Sequence, residues 1–245
     1  MSLLAVVAAA VAYEWLSLRA GRWSPWRGAS FMSGCAVLLI GLTLHAHDPA
    51  VHMTQHLLVG MVAPIGLVLG APMTLLLRSV PPAAGRRLTR LLRTRPARLV
   101  THPVVALLLS TGSLGLLYLT PLYAYAKSDP AVHTAVLAHF LASGCLFAWV
   151  VAGPDPAPHR PAVRTRLVVL GVAIAAHATL SQLLYAGAFV QVPGTDADRR
   201  AAATIMYYGG DLAELMLAFA VVQTRGPARR RAPAKLLLSR APVSG

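Results

Sequence analysis

The residues best suited to chemistry lie in one short stretch, His52-Met53-Thr54-Gln55-His56. Residues four apart on an α-helix share a face, so His52 and His56 can reach one ion from successive turns. Met53 lies one position around the helix, within reach of the same ion. Imidazole with a thioether is a ligand set that suits copper, and the divalent affinity of nitrogen and sulfur sites also peaks at copper. The spacing predicts a copper site, although a histidine at a membrane surface also serves as an amphipathic residue facing headgroups and water.

Four more histidines extend this candidate site. His45 and His47 come just before it, and His133 falls at the matching end of a later apolar segment. His139 lies about two turns deeper in that segment, since one helical turn takes 3.6 residues. We therefore expect copper ligands among these four residues together with the His52–His56 pair.

The elements that must position these residues are membrane helices. Of the 245 residues, 56% are hydrophobic and 12% are charged, against roughly 25% charged residues in soluble domains. A membrane-spanning helix needs about 20 mostly apolar residues, which leaves room for seven. Pro64 and Pro72 predict a bend in the third run, because proline removes a backbone hydrogen bond. The predicted runs are residues 2–18, 28–44, 51–77, 99–120, 131–152, 167–190 and 201–223.

The distribution of basic residues predicts the orientation of this all-α bundle. Of the 22 Lys and Arg residues, 19 fall in the first, third and fifth connections and the C-terminal tail, and 3 in the alternate connections. Because basic residues mark cytoplasmic loops, the N-terminus is expected outside and the C-terminus inside. This pattern accounts for the net charge of +14 without a nucleic-acid partner. We predict a seven-helix domain over residues 1–224 and a basic cytoplasmic tail over 225–245, in contact with membrane lipids.

A second polar group is expected within the bilayer. Asp211 and Glu214 lie three apart in the seventh segment, and His177 lies near the middle of the sixth. Ionisable groups at membrane depth are costly and point to a function with a partner, so His177 is expected to face Asp211 or Glu214. An ion or proton path and a structural polar contact between helices both remain open.

Tyrosines mark the expected membrane surface on the histidine side. An aromatic belt explains most of this group, because amphipathic rings favour the interface. Its members are Tyr118, Tyr123, Tyr125, Tyr207 and Tyr208.

Three stretches resemble one known family. The stretch from His52 to Pro72, with its HMxxH, AP and LGxP elements, resembles the third helix of the CtaG-type cytochrome c oxidase assembly factors. The stretch from His139 through Gly153-Pro154-Asp155-Pro156 and the His102-Pro103 step are also similar. The resemblance covers most of the chain, from the second segment to the seventh.

This resemblance implies a multi-pass protein of the bacterial plasma membrane that helps to mature cytochrome c oxidase by handling copper. The implied role falls on His52, Met53 and His56, and more weakly on His139. Oxidase subunits or a copper chaperone are the expected partners, and no enzymatic activity is expected. A copper transporter, a haem protein with His139 and His177 as axial ligands, and a scaffold that binds no ion remain alternatives.

Overall fold

The computed structural model describes residues 2–44, 48–158, 160–192 and 194–223, and these residues form eleven helices and no strand. Seven of these helices are at least 17 residues long, and the other four are shorter. The helices are α1 (Leu3–Arg19), α2 (Pro25–Thr43), α3 (Pro49–Leu69), α4 (Pro72–Ser79), α5 (Pro82–Leu92), α6 (Arg95–Val100), α7 (Pro103–Leu119), α8 (Leu122–Ser128), α9 (Pro130–Val151), α10 (Val163–Ala186) and α11 (Asp196–Gln223).

Five helices of the described chain are long and apolar enough to cross a membrane, namely α2, α3, α9, α10 and α11. A sixth span results if α7 and α8 count together, although they meet at an angle of 82°. The predicted all-helical membrane architecture is thus confirmed. The count of seven spans and the orientation of the termini stay predictions.

Helix α11 shows the inverted polarity expected of a helix in lipid. Leu212, Leu215 and Phe219 lie on one side and are more than 60% exposed. The opposite side buries small residues such as Ala213 together with the carboxylate of Glu214. An apolar outer face with an ionisable residue turned inward places this side of α11 against lipid rather than water.

Glycines let α3 pack closely against two neighbouring helices. A Cβ at Gly34 of α2 would lie 2.5 Å from the backbone nitrogen of Leu67, which leaves no room for a side chain. A Cβ at Gly144 of α9 would overlap the Gly60 carbonyl oxygen and touch Pro64. Such small-residue contacts allow backbones in a membrane to approach each other. The result is that α3, which carries the candidate site, is held on both sides.

The third predicted run, residues 51–77, is divided into two helices between Leu69 and Pro72. Helix α3 continues through Pro64 after a π-helical turn at Leu58–Val62. It ends at Leu69, and Ala71, with a φ of 54°, turns the chain into α4. The predicted bend is therefore located at Gly70–Ala71 rather than at Pro64.

The structure differs from the prediction at three places. The connection between the predicted runs 99–120 and 131–152 contains the short helix α8. Helix α10 begins at Val163 rather than at residue 167 and so includes Arg166, whose buried guanidinium donates to the Val151 carbonyl at 3.0 Å. Helix α11 begins at Asp196 rather than at residue 201, so Asp196 and Asp198 lie in its first turn, where carboxylates interact favourably with the helix dipole. The predicted basic tail lies outside the described residues.

The arginine-rich end of the bundle lies opposite the first turns of α3. The guanidinium carbons of Arg27 and Arg78 lie 5.1 and 5.5 Å from the Trp23 ring centre. Arg27 opens α2, and Arg78 lies at the end of α4. Because α3 runs from Pro49 towards this end, its histidines lie at the other one.

Candidate metal site

The first turns of α3 are fixed by a helix cap, and they carry the His-Met-His stretch into the interior. The backbone N–H of Val51 donates to Asp48 Oδ1 at 2.8 Å, and Pro49 occupies the first turn. Both features favour a helix start at this position. His52, Met53 and His56 are each at most 4% exposed. The His52 and His56 rings lie on successive turns of α3 with their centres 4.4 Å apart.

Helix α9 brings His133 to the same place. Asp129 caps this helix by accepting from the backbone N–H groups of Ala131 and Val132. The ring centre of His133 lies 5.4 Å from that of His52 and 6.4 Å from that of His56. Three of the six predicted histidines therefore come together in space from two helices.

Gln55 fixes the orientation of the His133 ring. Its amide nitrogen donates to the carbonyls of Gly41 and Leu44 at 3.0 and 3.1 Å, which settles which end of the amide is oxygen. The amide oxygen lies 3.0 Å from His133 Nε2. Because that oxygen can only accept, Nε2 carries the proton and Nδ1 of a neutral ring keeps its lone pair. Such outer hydrogen bonds are what orient histidine ligands in metal sites.

Three imidazole nitrogens of this cluster lack hydrogen-bond partners within the described chain. His52 Nε2 and both ring nitrogens of His56 are buried without a hydrogen bond. A buried polar group without a partner costs about 1–3 kcal/mol, so native proteins rarely keep one without a role. The Met53 sulfur accepts a hydrogen bond from Tyr118 at 3.5 Å. Unpaired imidazole nitrogens beside a thioether are the donor set that a soft metal ion would use.

The described ranges hold no group of three or more His, Cys, Asp or Glu side chains arranged to hold a metal ion. The cluster is thus a set of adjacent imidazoles with a thioether rather than a closed coordination shell. Two further predicted ligands, His45 and His47, lie outside the described residues. They come immediately before the Asp48 cap in the sequence.

His139 does not join the cluster. It is exposed, and its Nε2 donates to the Leu109 carbonyl of α7 at 3.1 Å. It lies six residues from His133, which turns the two side chains to different faces of α9.

Two tyrosines and a glutamine are functional candidates that the sequence reasoning missed. Tyr118 and Tyr123, assigned to an aromatic belt, are 0% and 2% exposed and lie against Met53 and His52 respectively. Tyr125, in contrast, is 64% exposed, as a belt residue would be. Gln55 could have been singled out, because a polar residue between two inward-facing histidines also tends to face inward.

The intramembrane pair is His177 with Glu214. His177 Nδ1 lies 3.5 Å from Glu214 Oε1, and the two residues are 3% and 5% exposed. Gly210 makes this approach possible, because a Cβ there would overlap the His177 ring. Asp211, the other predicted partner, is half-buried, and among the described residues the ion pair of His177 is with Glu214.

One cavity links the pair to the histidine cluster. Met53 and His56 line one part of its wall, and His177 and Glu214 line another. The space open to the centre of a water molecule is about 60 Å³. Since one water needs about 10–15 Å³ by this measure, the cavity has room for a few waters or for an ion with a partial shell.

A third polar contact joins two of the stretches that suggested the family. Asp155 is 4% exposed and accepts hydrogen bonds from the backbone N–H groups of Met73 and Thr74 at 3.0 and 2.7 Å. The Thr74 hydroxyl donates to the same carboxylate at 2.5 Å. Asp155 therefore caps α4 and ties the segment after α9 to the end of α3.

Comparison with known proteins agrees with these motifs. Residues 8–225 match the family described as cytochrome c oxidase caa3 assembly factor (Caa3_CtaG). Proteins described as uncharacterized in Mycobacterium bovis and Mycobacterium tuberculosis are each 34% identical over 181 residues, which is 69% of this chain. A Mycobacterium leprae protein is 32% identical over 173 residues, or 65% of this chain.

The match spans only about a quarter of those relatives, 27% for the first two and 26% for the third. No solved structure matches the chain. The family match, by contrast, covers nearly every described residue and includes the histidine, Asp155 and Glu214 positions. The chain belongs to the cytochrome c oxidase caa3 assembly factor family.

Proposed function

We propose that this chain is a copper-binding assembly factor, which holds copper as cargo at the outer face of the plasma membrane and helps to deliver it to cytochrome c oxidase. The observation that carries the proposal is the buried cluster of His52, His56 and His133 beside Met53. Membership of the assembly-factor family supplies the oxidase as the destination. On this proposal the chain catalyses no reaction.

The incomplete ligand set among the described residues suits transfer rather than storage. Unpaired nitrogens of His52 and His56 can bind an ion at little cost, because they give up no hydrogen bond. A site with fewer ligands than a closed cage leaves a position for the incoming ligand of a chaperone or an oxidase subunit. His45 and His47, which adjoin the cluster in the sequence, are proposed as further ligands.

The outer location rests on charge distribution. The histidine cluster lies at the end of the bundle opposite the arginines around Trp23. Since arginines mark the cytoplasmic side, the cluster is proposed to face outward.

Transport across the membrane is less well supported. Beyond Glu214 the interior becomes apolar, with Val151 and Val221 fully buried and Leu217 packed in the same cluster. The buried Arg166 guanidinium, which donates to the Val151 carbonyl in this half, would repel a passing cation. Haem binding between His139 and His177 is not favoured either, because His139 faces a surface groove and His177 faces the interior cavity.

The proposal is testable in bacterial cells that lack their own copy of the gene. Complementation with the wild-type gene is expected to restore cytochrome c oxidase activity and the copper content of the purified oxidase. The double variant His52→Ala/His56→Ala is expected to restore neither under copper limitation. His139→Ala is the matched control, because it removes a histidine outside the cluster and is expected to complement fully. Full complementation by the double variant would overturn the proposal.

A further inference from the structure

The midpoint of the bundle holds an acidic and an imidazole side chain whose burial is not explained by helix packing alone. Glu214 Oε2 is buried and has no hydrogen-bond partner among the described residues, while Oε1 faces His177 Nδ1 at 3.5 Å. A purely structural contact would satisfy both carboxylate oxygens, because an unpaired buried charge is among the costliest features a protein can keep. An ionisable group at membrane depth with an unpaired oxygen beside a cavity therefore points to a binding role.

The space next to this pair has the right lining for a soft cation. The cavity that Glu214 and His177 line is also lined by Met61 and Met206. The methionine thioethers are soft ligands, and the His177 imidazole is a borderline one. Both favour a copper ion over a hard cation such as Mg²⁺.

Charge balance favours a monovalent ion. Glu214 is the one carboxylate among the residues that line this cavity. One carboxylate neutralises one positive charge, and a neutral assembly is the least costly form in a low-dielectric interior. A divalent ion would leave one uncompensated charge in the bilayer.

The backbone of α11 holds the pair in place. A Cβ at Gly210 would overlap the His177 ring, so this ring lies directly against the backbone one turn before Glu214. The Ser181 hydroxyl donates to the His177 carbonyl at 2.9 Å and leaves the ring untouched. The imidazole is therefore fixed beside the carboxylate before any ion arrives, which lowers the cost of ordering on binding.

We propose that His177 and Glu214 form a second, inner site for a monovalent soft cation, Cu(I), with thioether help from the methionines of the shared cavity. An ion at the outer cluster and an ion at the inner site would then occupy the two ends of one cavity. This inference rests on the proposed function only for the identity of the ion as copper. His52, His56 and His133 are not ligands of the inner site.

The test is the copper stoichiometry of the purified full-length chain in lipid nanodiscs. The protein is loaded with Cu(I) under anaerobic reducing conditions, desalted, and analysed for metal content. The wild type is expected to hold two equivalents, and Glu214→Gln one. Asp211→Asn, which alters a half-buried carboxylate on the same helix outside the cavity, is expected to hold two. His52→Ala/His56→Ala is expected to lose the outer equivalent and keep the inner one.

The outcomes separate the two proposals. If Glu214→Gln holds as much copper as the wild type, the inner site does not exist and the pair is a proton-holding or structural contact. If the wild type holds one equivalent and the double histidine variant none, the inner site fails and the outer one stands. Should Glu214→Gln not fold, His177→Gln must lose one equivalent, and copper X-ray absorption of His52→Ala/His56→Ala must show sulfur ligands at the remaining ion. A single wild-type equivalent that His177→Gln keeps, or a double histidine variant with no sulfur in its copper shell, contradicts the inner site.

Discussion

Two buried polar side chains, Asp155 and His56, show how differently this protein treats polar groups at equal burial. Each residue is 4% exposed. The Asp155 carboxylate accepts three hydrogen bonds from Met73 and Thr74. Both ring nitrogens of His56 have no partner in the described chain. The contrast indicates that Asp155 contributes to the stability of the fold, whereas the unpaired nitrogens of His56 cost stability, a cost that the proposed copper site would explain.

The largest expected effect on stability comes from replacing Asp155, whose carboxylate is hydrogen-bonded. Asp155→Ala removes the cap of α4 and leaves buried N–H groups of Met73 and Thr74 without an acceptor. We expect the free energy of unfolding to fall by about 2–4 kcal/mol, measured by thermal unfolding of the purified protein in detergent. Copper affinity of the folded fraction should stay within about threefold, which is about 0.6 kcal/mol. Asp211→Ala is the control and is expected to unfold close to the wild-type temperature. If Asp155→Ala lost much of its copper affinity and kept wild-type stability, Asp155 would act in copper binding rather than in folding.

Gln55 extends this contrast, because its own amide is hydrogen-bonded and it orients the His133 ring in a cluster that holds unpaired nitrogens. Gln55→Leu frees the His133 ring to rotate, and we expect copper affinity to fall about 10–100-fold. Competition with a colorimetric Cu(I) chelator measures this change. Thr54→Val is the matched control on the same helix, since the Thr54 hydroxyl donates to the Ala50 carbonyl of its own helix and not to the cluster. If both variants bind copper as the wild type does, His133 contributes no bond to the ion.

The smallest effect is expected at Tyr118. Tyr118→Phe keeps the buried ring and removes only the hydroxyl that donates to the Met53 sulfur. Because sulfur is a weak acceptor, we expect a loss of about 0.5–1 kcal/mol in stability or in copper binding. Tyr125→Phe, at an exposed ring, should change neither quantity. A loss in copper affinity greater than about tenfold would make Tyr118 a direct participant in the site.

The sequence predicted the parts of the molecule that depend on local patterns. Apolar runs predict helices, and the spacing of His52 and His56 predicts a shared face, because both follow from helical periodicity. The resemblance in the HMxxH stretch predicted the family. The break at Gly70–Ala71 was predicted only approximately, since either proline in that run could have been its cause.

Features that depend on three-dimensional neighbours were out of reach. Gln55 acquires its role from Gly41, Leu44 and His133, which come from other parts of the chain. The choice of Glu214 over Asp211 as the partner of His177 depends on how α11 is rotated against α10, and residues three apart leave that choice open. His139 shares the composition of the cluster but not its face of α9.

Copper binding by imidazoles from α3 and α9 together is best tested by the Cu(I) affinity of the purified 245-residue chain. Chelator competition compares the wild type with His52→Ala/His56→Ala. We expect a loss of about 100-fold or more at the tighter site, because two ligands disappear at once, while thermal unfolding in detergent stays cooperative. Equal affinity in the two proteins, with both correctly folded, would show that these imidazoles do not bind copper.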